Sequence, residues 1–178
     1  MKKAILIPIV TIVCAAVLLF GLSLGLKDVA ATNAQAEHLN MMKTLLPGST
    51  VFTVEPYTGD DANIRSIHKA ENGFVIETVT AGYAGDITML IGVSSEGTVT
   101  GLVVREMSET AGLGLNALND HEFLAQFLNT SGDAAVGTNV DAITGATVTS
   151  KAITRCVNSA VAYVTGADTE SGATSWGG

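Results

Sequence analysis

An uncharged run of 23 residues, Ala4–Leu26, is the sequence feature that most limits how this chain can fold. A helix rises about 1.5 Å per residue, so this run reaches about 34 Å and can cross a bilayer core of about 30 Å. Pro8 lies near its beginning, where a helix tolerates proline best. The run predicts a transmembrane anchor over residues 1–29.

The charges beside this run predict its orientation. Lys2 and Lys3 precede it, whereas Lys27 is followed at once by Asp28. Lysine and arginine favour the cytoplasmic side of a membrane. We therefore expect a cytoplasmic N-terminus, one pass through the lipid of the cell (inner, cytoplasmic) membrane, and an extracytoplasmic domain. A cleaved signal peptide is the alternative, but its apolar core has about 7–15 residues and is shorter than this run.

The chain beyond the run is strongly acidic, which excludes one class of partner. Nine basic and seventeen acidic residues give a net charge of −8, and two of the basic residues precede the run. The part that follows the run therefore carries −10. A field of this sign repels nucleic acid, so no binding of DNA or RNA is expected.

Residues 30–166 have the pattern of one α+β domain, an antiparallel sheet packed by helices, and residues 167–178 form a polar tail. Apolar residues at helical spacing predict a helix over 30–46, another beginning near Asn119 or Asp120, and a last one over Thr149–Val164. Asn-Gly and Glu-Gly breaks between β-branched runs predict an antiparallel meander. Its four expected strands are Ile64–His68, Phe74–Val79, Ile87–Val93 and Val99–Arg105.

Neither a metal site nor a dinucleotide site is predicted. The histidines His38, His68 and His121 are scattered along the chain. Gly112–Ala117 matches the loose glycine-rich dinucleotide fingerprint, but no strand–helix–strand unit surrounds it. Cys156 lies on the apolar stripe of the last helix, so core packing is its expected role.

The segment Asp141–Ser150, which leads into the last helix, is the best candidate for chemistry. Its small residues 144–147 let a large group approach the backbone, and the N–H groups of a helix N-terminus attract phosphate. Lys151, one turn beyond Thr147, adds a cation. These features allow a phosphate site. An aspartate turn with a threonine or serine helix cap is the alternative, and on the residues alone it is the favoured one.

This segment resembles the Asp-x-x-Ser/Thr-Gly-Ala-Thr signature of the family of domains that carry flavin mononucleotide (FMN) covalently. The resemblance implies that Thr147 is joined to FMN through a phosphoester. It also implies a separate flavin transferase that makes this bond from flavin adenine dinucleotide. The remaining signature residues, which the resemblance assigns to recognition, are Asp141, Thr144, Gly145 and Ala146.

A second segment, Ser108–Gly114, resembles the Glu-Thr-Pro-Gly-Leu-Gly stretch that lies against the flavin in this family. Ala111 stands where the family has proline, which makes the loop less rigid. The resemblance implies that the loop borders the flavin ring through Glu109, Thr110, Gly112, Leu113 and Gly114.

The signature occurs again in the tail, at Asp168–Thr174. Thr147 is the expected attachment residue because an amphipathic helix follows it, whereas Ser-Trp-Gly-Gly follows Thr174. The third signature residue also differs between the copies. Ile143 is apolar and can pack, while the matching Glu170 is charged.

The size, the single anchor and the outward domain resemble one family best, the G subunits of Rnf complexes, which are ion-translocating ferredoxin:NAD oxidoreductases. This resemblance implies an electron-transfer protein that needs the other membrane and redox subunits of its complex, and not a complete enzyme. Sodium and proton translocation are both open, as is the direction of electron flow. The alternatives are the C subunit of a sodium-translocating NADH:quinone oxidoreductase and a cofactor-free anchored binding or assembly module.

Overall fold

The computed structural model describes residues 15, 17, 20, 21, 32–107 and 120–167. The chain divides into two compact units, Met1–Asn40 and Met41–Gly178. Most of the predicted anchor lies outside the described residues, so the anchor stays a prediction. Within the described ranges, no helix combines the length and the apolar character that a membrane span requires.

Five antiparallel strands of the second unit form one sheet, in the order in which they follow along the chain. They are β1 (Thr53–Glu55), β2 (Ile64–Ala70), β3 (Gly73–Ala81), β4 (Asp86–Ser94) and β5 (Val99–Met107). The predicted meander is confirmed, and its four strands extend beyond the predicted bounds by at most two residues. β1 is not predicted from the sequence, because it has only three residues and lies at the edge of the sheet.

The helices are α1 (residues 32–45), α2 (His121–Ala125) and α3 (Thr147–Thr165). Asp120 caps α2 by accepting a hydrogen bond of 2.9 Å from the N–H of Phe123. α3 begins two residues before the predicted Thr149. It ends at Thr165, one residue beyond the predicted Val164, and Gly166 follows as its C-cap with a φ of 69°.

The apolar stripe of α3 packs against one face of the sheet. Its fully buried apolar members are Ala152, Ile153, Cys156, Val157, Ala160 and Val161, whereas Val164, at the end of the predicted stripe, is only half-buried. The sheet contributes Ile76 of β3 and the alternate residues Met89, Ile91 and Val93 of β4 to the same core. Phe123 and Phe127 also belong to this core and meet edge to face, with ring centroids 5.3 Å apart. One core therefore fixes both α3 and the chain around α2.

On the opposite face, the end of α1 lies close to the sheet. Gly92 of β4 pairs with Gly101 of β5. A Cβ added at Gly101 would lie 3.0 Å from the Cα of Leu45. The hydroxyl of Thr100 donates a hydrogen bond of 2.6 Å to the carbonyl of Leu45. The main chain of Leu45 thus fills the space that the two glycines leave.

Candidate functional site

A short loop, residues 141–146, leads into α3 and is folded into a tight turn. The N–H of Ala146 donates a hydrogen bond of 2.9 Å to the carbonyl of Ile143. Gly145 occupies the third position of this turn with a φ of 77°. Glycine adopts this left-handed value at little cost, whereas other residues are strained there. The shape of the backbone is therefore one reason for the glycine in the signature.

Ser150, in the first turn of α3, ties this turn to the helix. Its Oγ accepts a hydrogen bond of 3.1 Å from the N–H of Ile143 and donates one of 3.0 Å to the carbonyl of Ala146. The side chain is fully buried. A buried hydroxyl that both donates and accepts has its bonding capacity used within the protein. The turn and the start of α3 thus form one bonded unit.

Gln126, the C-cap residue of α2, holds the other end of the loop. Its Oε1 accepts a hydrogen bond of 2.7 Å from the N–H of Asp141, and its Nε2 donates one of 3.3 Å to the carbonyl of the same residue. The side chain of Asp141 itself is exposed. The loop is therefore anchored through its main chain, and the carboxylate of Asp141 takes no part in that anchoring.

Thr147 is exposed at the first position of α3. The N-cap residue Ala146 makes no side-chain hydrogen bond to the helix, and the first turn holds no acidic residue. The first N–H groups of a helix have no acceptor within it and form the positive end of its dipole. Lys151, also exposed, follows one turn later on the same side. This surrounding fits a phosphate ester on the Thr147 hydroxyl.

The start of α3 bears on the cap interpretation of the segment. A threonine or serine cap would place a hydroxyl at the N-cap position, where it bonds to the N–H groups of the first turn. The structure has Ala146 at that position instead. The helix therefore begins without the cap that the alternative interpretation requires.

Cys156 lies in the core and is not part of this site. Burial raises the pKa of its thiol to about 11, because the thiolate would lose its hydration there. The nearby side chain of Thr78 and the charge of Arg155 act in the opposite direction, to a smaller extent. A thiol with this pKa stays protonated at neutral pH and is a poor nucleophile.

Several residues implied by the resemblance cannot be placed. Glu109, Thr110, Gly112, Leu113 and Gly114 lie outside the described residues, between the end of β5 and Asp120. The second copy of the signature lies beyond residue 167, also outside them. In the part of the chain that is described, no group of three or more histidine, cysteine, aspartate or glutamate side chains could hold a metal ion.

The structure adds two residues to the site that the sequence does not single out for a role. Ser150 closes the candidate segment, but nothing in its neighbours indicates its two bonds. Gln126 lies 15 residues before Asp141, and no motif includes it.

Comparisons with known proteins cover the same region. Residues 82–162 match the family described as FMN-binding domain. The G subunit of the ion-translocating oxidoreductase complex of Methanosarcina acetivorans is 38% identical over 139 residues, which cover 69% of this chain and 72% of the relative.

Two bacterial relatives are similar over a shorter range. The G subunit of the proton-translocating ferredoxin:NAD(+) oxidoreductase complex of Clostridium ljungdahlii is 38% identical over 99 residues, 52% of this chain and 53% of the relative. The G subunit of the Na(+)-translocating ferredoxin:NAD(+) oxidoreductase complex of Acetobacterium woodii is 36% identical over 98 residues, 50% of this chain and 47% of the relative. The chain thus spans about half the length of these two proteins.

Proposed function

We propose, given that this chain belongs to the family of G subunits of ion-translocating oxidoreductase complexes, that it carries FMN and transfers electrons within such a complex. The match of residues 82–162 to FMN-binding domains supports the cofactor. The names of the relatives support a membrane-bound, multi-subunit oxidoreductase as the setting.

The observation that carries the proposal is the environment of Thr147. Its side chain is exposed at the first position of a 19-residue helix whose N-terminus has no side-chain cap and no acidic residue in its first turn. The preceding turn contains the small residues Thr144, Gly145 and Ala146 and is held in place by hydrogen bonds. In a domain that is acidic as a whole, this is a local surrounding that favours a phosphate group.

The bond to FMN is a phosphoester to the Thr147 Oγ. A flavin transferase acts as a partner and uses flavin adenine dinucleotide as donor. The Oγ attacks the phosphorus on the flavin side of the pyrophosphate, the bond between the two phosphates breaks, and AMP leaves, with its phosphate taking up the hydroxyl proton. No oxidant or reductant is consumed, since the flavin itself is unchanged.

The residues of the loop and helix have separate tasks in this proposal. The N–H groups at the start of α3 and the Lys151 ammonium stabilise the negative charge of the ester. Gly145 and Ala146 leave room for the phosphate beside the backbone. The family resemblance assigns the border of the ring to the 108–114 segment, which lies outside the described residues. Bound FMN supplies the ability to exchange one or two electrons, and the protein holds it in position.

A permanent anchor over residues 1–29 keeps the domain at the membrane, outside the cytoplasm, beside the other redox subunits. A tethered carrier stays at high local concentration near its partners. This placement can be tested in cells that produce the full-length chain. The chain should stay in carbonate-washed membranes, and protease added to intact spheroplasts should digest the domain. Release by carbonate, or protection of the domain until the cells are broken, contradicts it.

The attachment itself is tested on the denatured full-length chain, made in cells that contain the transferase. Thr147→Ala should abolish flavin fluorescence in a denaturing gel, whereas Thr147→Ser, which keeps a hydroxyl, should retain part of it. Thr174→Ala is the matched control and should fluoresce like the unsubstituted chain. Fluorescence that persists in Thr147→Ala, or a flavin peptide that maps to Asp168–Thr174, contradicts the assignment.

A further inference from the structure

We propose that Gln126 and Ser150, neither of which belongs to the signature, are positioning residues that hold the acceptor loop in shape for the transfer of FMN to Thr147. The inference rests on the proposed function and deepens it. It concerns the bonds that fix residues 141–146 before any flavin is attached.

The contact made by Gln126 requires an amide. The N–H and the carbonyl of Asp141 both bond to this one side chain, at 2.7 and 3.3 Å. A carboxamide offers one acceptor and one donor group, whereas a carboxylate can only accept. Gln126 thus fixes both polar groups of the first signature residue, which no charged or apolar side chain of the same size can do.

The position of Gln126 is itself fixed. Its neighbours Phe123 and Phe127 are buried in the core. Its own N–H donates a hydrogen bond of 3.3 Å to the carbonyl of Phe123. The backbone of Gln126 is therefore fixed by the core, and its side chain connects this fixed backbone to the start of the loop.

Ser150 does the same at the end of the loop. Its buried Oγ joins the N–H of Ile143 to the carbonyl of Ala146. The Thr147 side chain takes part in none of the bonds of Gln126 or Ser150. The shape of the loop is thus determined independently of the group that is to be modified.

A preformed acceptor matters for the rate of group transfer. The Thr147 Oγ must approach the phosphorus in line with the leaving group, and a small displacement of a reacting atom lowers a rate steeply. A loop held at both ends needs no ordering when the transferase binds. Loosening either end should therefore slow transfer on a chain that is still folded.

The experiment uses the full-length chain, purified in detergent from cells that lack the transferase, with purified transferase and flavin adenine dinucleotide. Single-turnover flavin incorporation is measured per folded molecule, with the folded fraction taken from circular dichroism. Gln126→Ala should lower the saturating rate by about tenfold to a hundredfold. Gln126→Glu, which keeps the acceptor and loses the donor, should lie between Gln126→Ala and the unsubstituted chain.

Asn139→Ala is the matched control. Asn139 clamps a neighbouring loop in the same manner, accepting from the N–H of Ala135 at 2.7 Å and donating to the carbonyl of Asp133 at 2.9 Å. Its loss should leave the rate unchanged. Ser150→Ala tests the other end of the loop and should also slow transfer.

The outcomes separate the two proposals. If Gln126→Ala and Gln126→Glu both change the rate by less than about twofold, or if Asn139→Ala slows it equally, the positioning role is wrong. If the unsubstituted chain takes up no flavin under these conditions, the proposed function is what fails, and the positioning role fails with it.

Discussion

Gly92 of β4 lies opposite Gly101 of β5, so the sheet carries no side chains at this point. The main chain of Leu45 occupies the space that side chains would take. Side chains at either position would stand between the sheet and the end of α1. The two glycines therefore allow a contact between a helix and a sheet that is closer than ordinary side chains permit.

Gly92→Ala should destabilise the domain more than Gly101→Ala. A Cβ at Gly92 would overlap the carbonyl group of Leu45, with its carbon 2.7 Å away, whereas one at Gly101 would lie 3.0 Å from the Leu45 Cα. Overpacking of this kind costs about 1–3 kcal/mol. Chemical denaturation of both variants measures the difference in the free energy of unfolding. Equal losses in the two variants would contradict the close approach at Gly92.

Gly145→Ala should lower both stability and flavin attachment. The φ of 77° at this position costs an L-residue about 1–2 kcal/mol. Gly145→Asn is the control, because asparagine tolerates the left-handed conformation better than alanine does. Urea denaturation and gel fluorescence of the two variants test the prediction, which is wrong if alanine is accepted as readily as asparagine.

Lys151→Glu should reduce flavin attachment with little effect on folding. It replaces the cation one turn beyond Thr147 with an anion on an exposed surface, where substitutions change stability by about 0.5 kcal/mol or less. Lys151→Arg keeps the charge and should behave like the unsubstituted chain. The difference between the two variants should shrink at high salt, because salt screens exposed charges. A difference that does not respond to salt would argue against a role for this charge.

Cys156 should resist alkylation in the folded chain at pH 8 and react after denaturation. Burial raises the pKa of its thiol from 9.0 to about 11. Deprotonation therefore favours the unfolded chain, and this contribution to stability is complete below pH 9 and is lost as the pH rises toward 11. Iodoacetamide labelling with peptide mass mapping separates Cys156 from Cys14. Rapid labelling of Cys156 at pH 8 would contradict the burial.

The regular elements of the sheet and of α3 could be predicted because each rests on a local pattern. β-branched runs between glycine breaks define β2 to β5, and the stripe from Ala152 to Val161 defines the buried side of α3. β1 has no such pattern of its own. Thr53–Glu55 is a strand because it pairs with β2. Three residues are too few to show such a pairing in the sequence.

The sequence identifies the residues of the candidate site, but it does not predict the hydrogen bonds that hold the loop in place. Glycine, alanine and threonine before a helix allow a phosphate site on local chemistry, and the resemblance to the FMN signature is what favours it. The start of α3 at Thr147 rather than Thr149 is accompanied by hydrogen bonds from the Ser150 Oγ back to the turn. The clamp from Gln126 to Asp141 joins residues 15 positions apart and arises from the packing of the chain around α2. Contacts of that kind carry no local signal.

The turn before α3 is closed by atoms of Ile143, Ala146 and Ser150, and the Thr147 hydroxyl takes no part in it. With FMN attached at Thr147 as proposed, esterification therefore breaks none of the bonds that shape the turn. Such a chain would need no refolding to be loaded, only access to one hydroxyl.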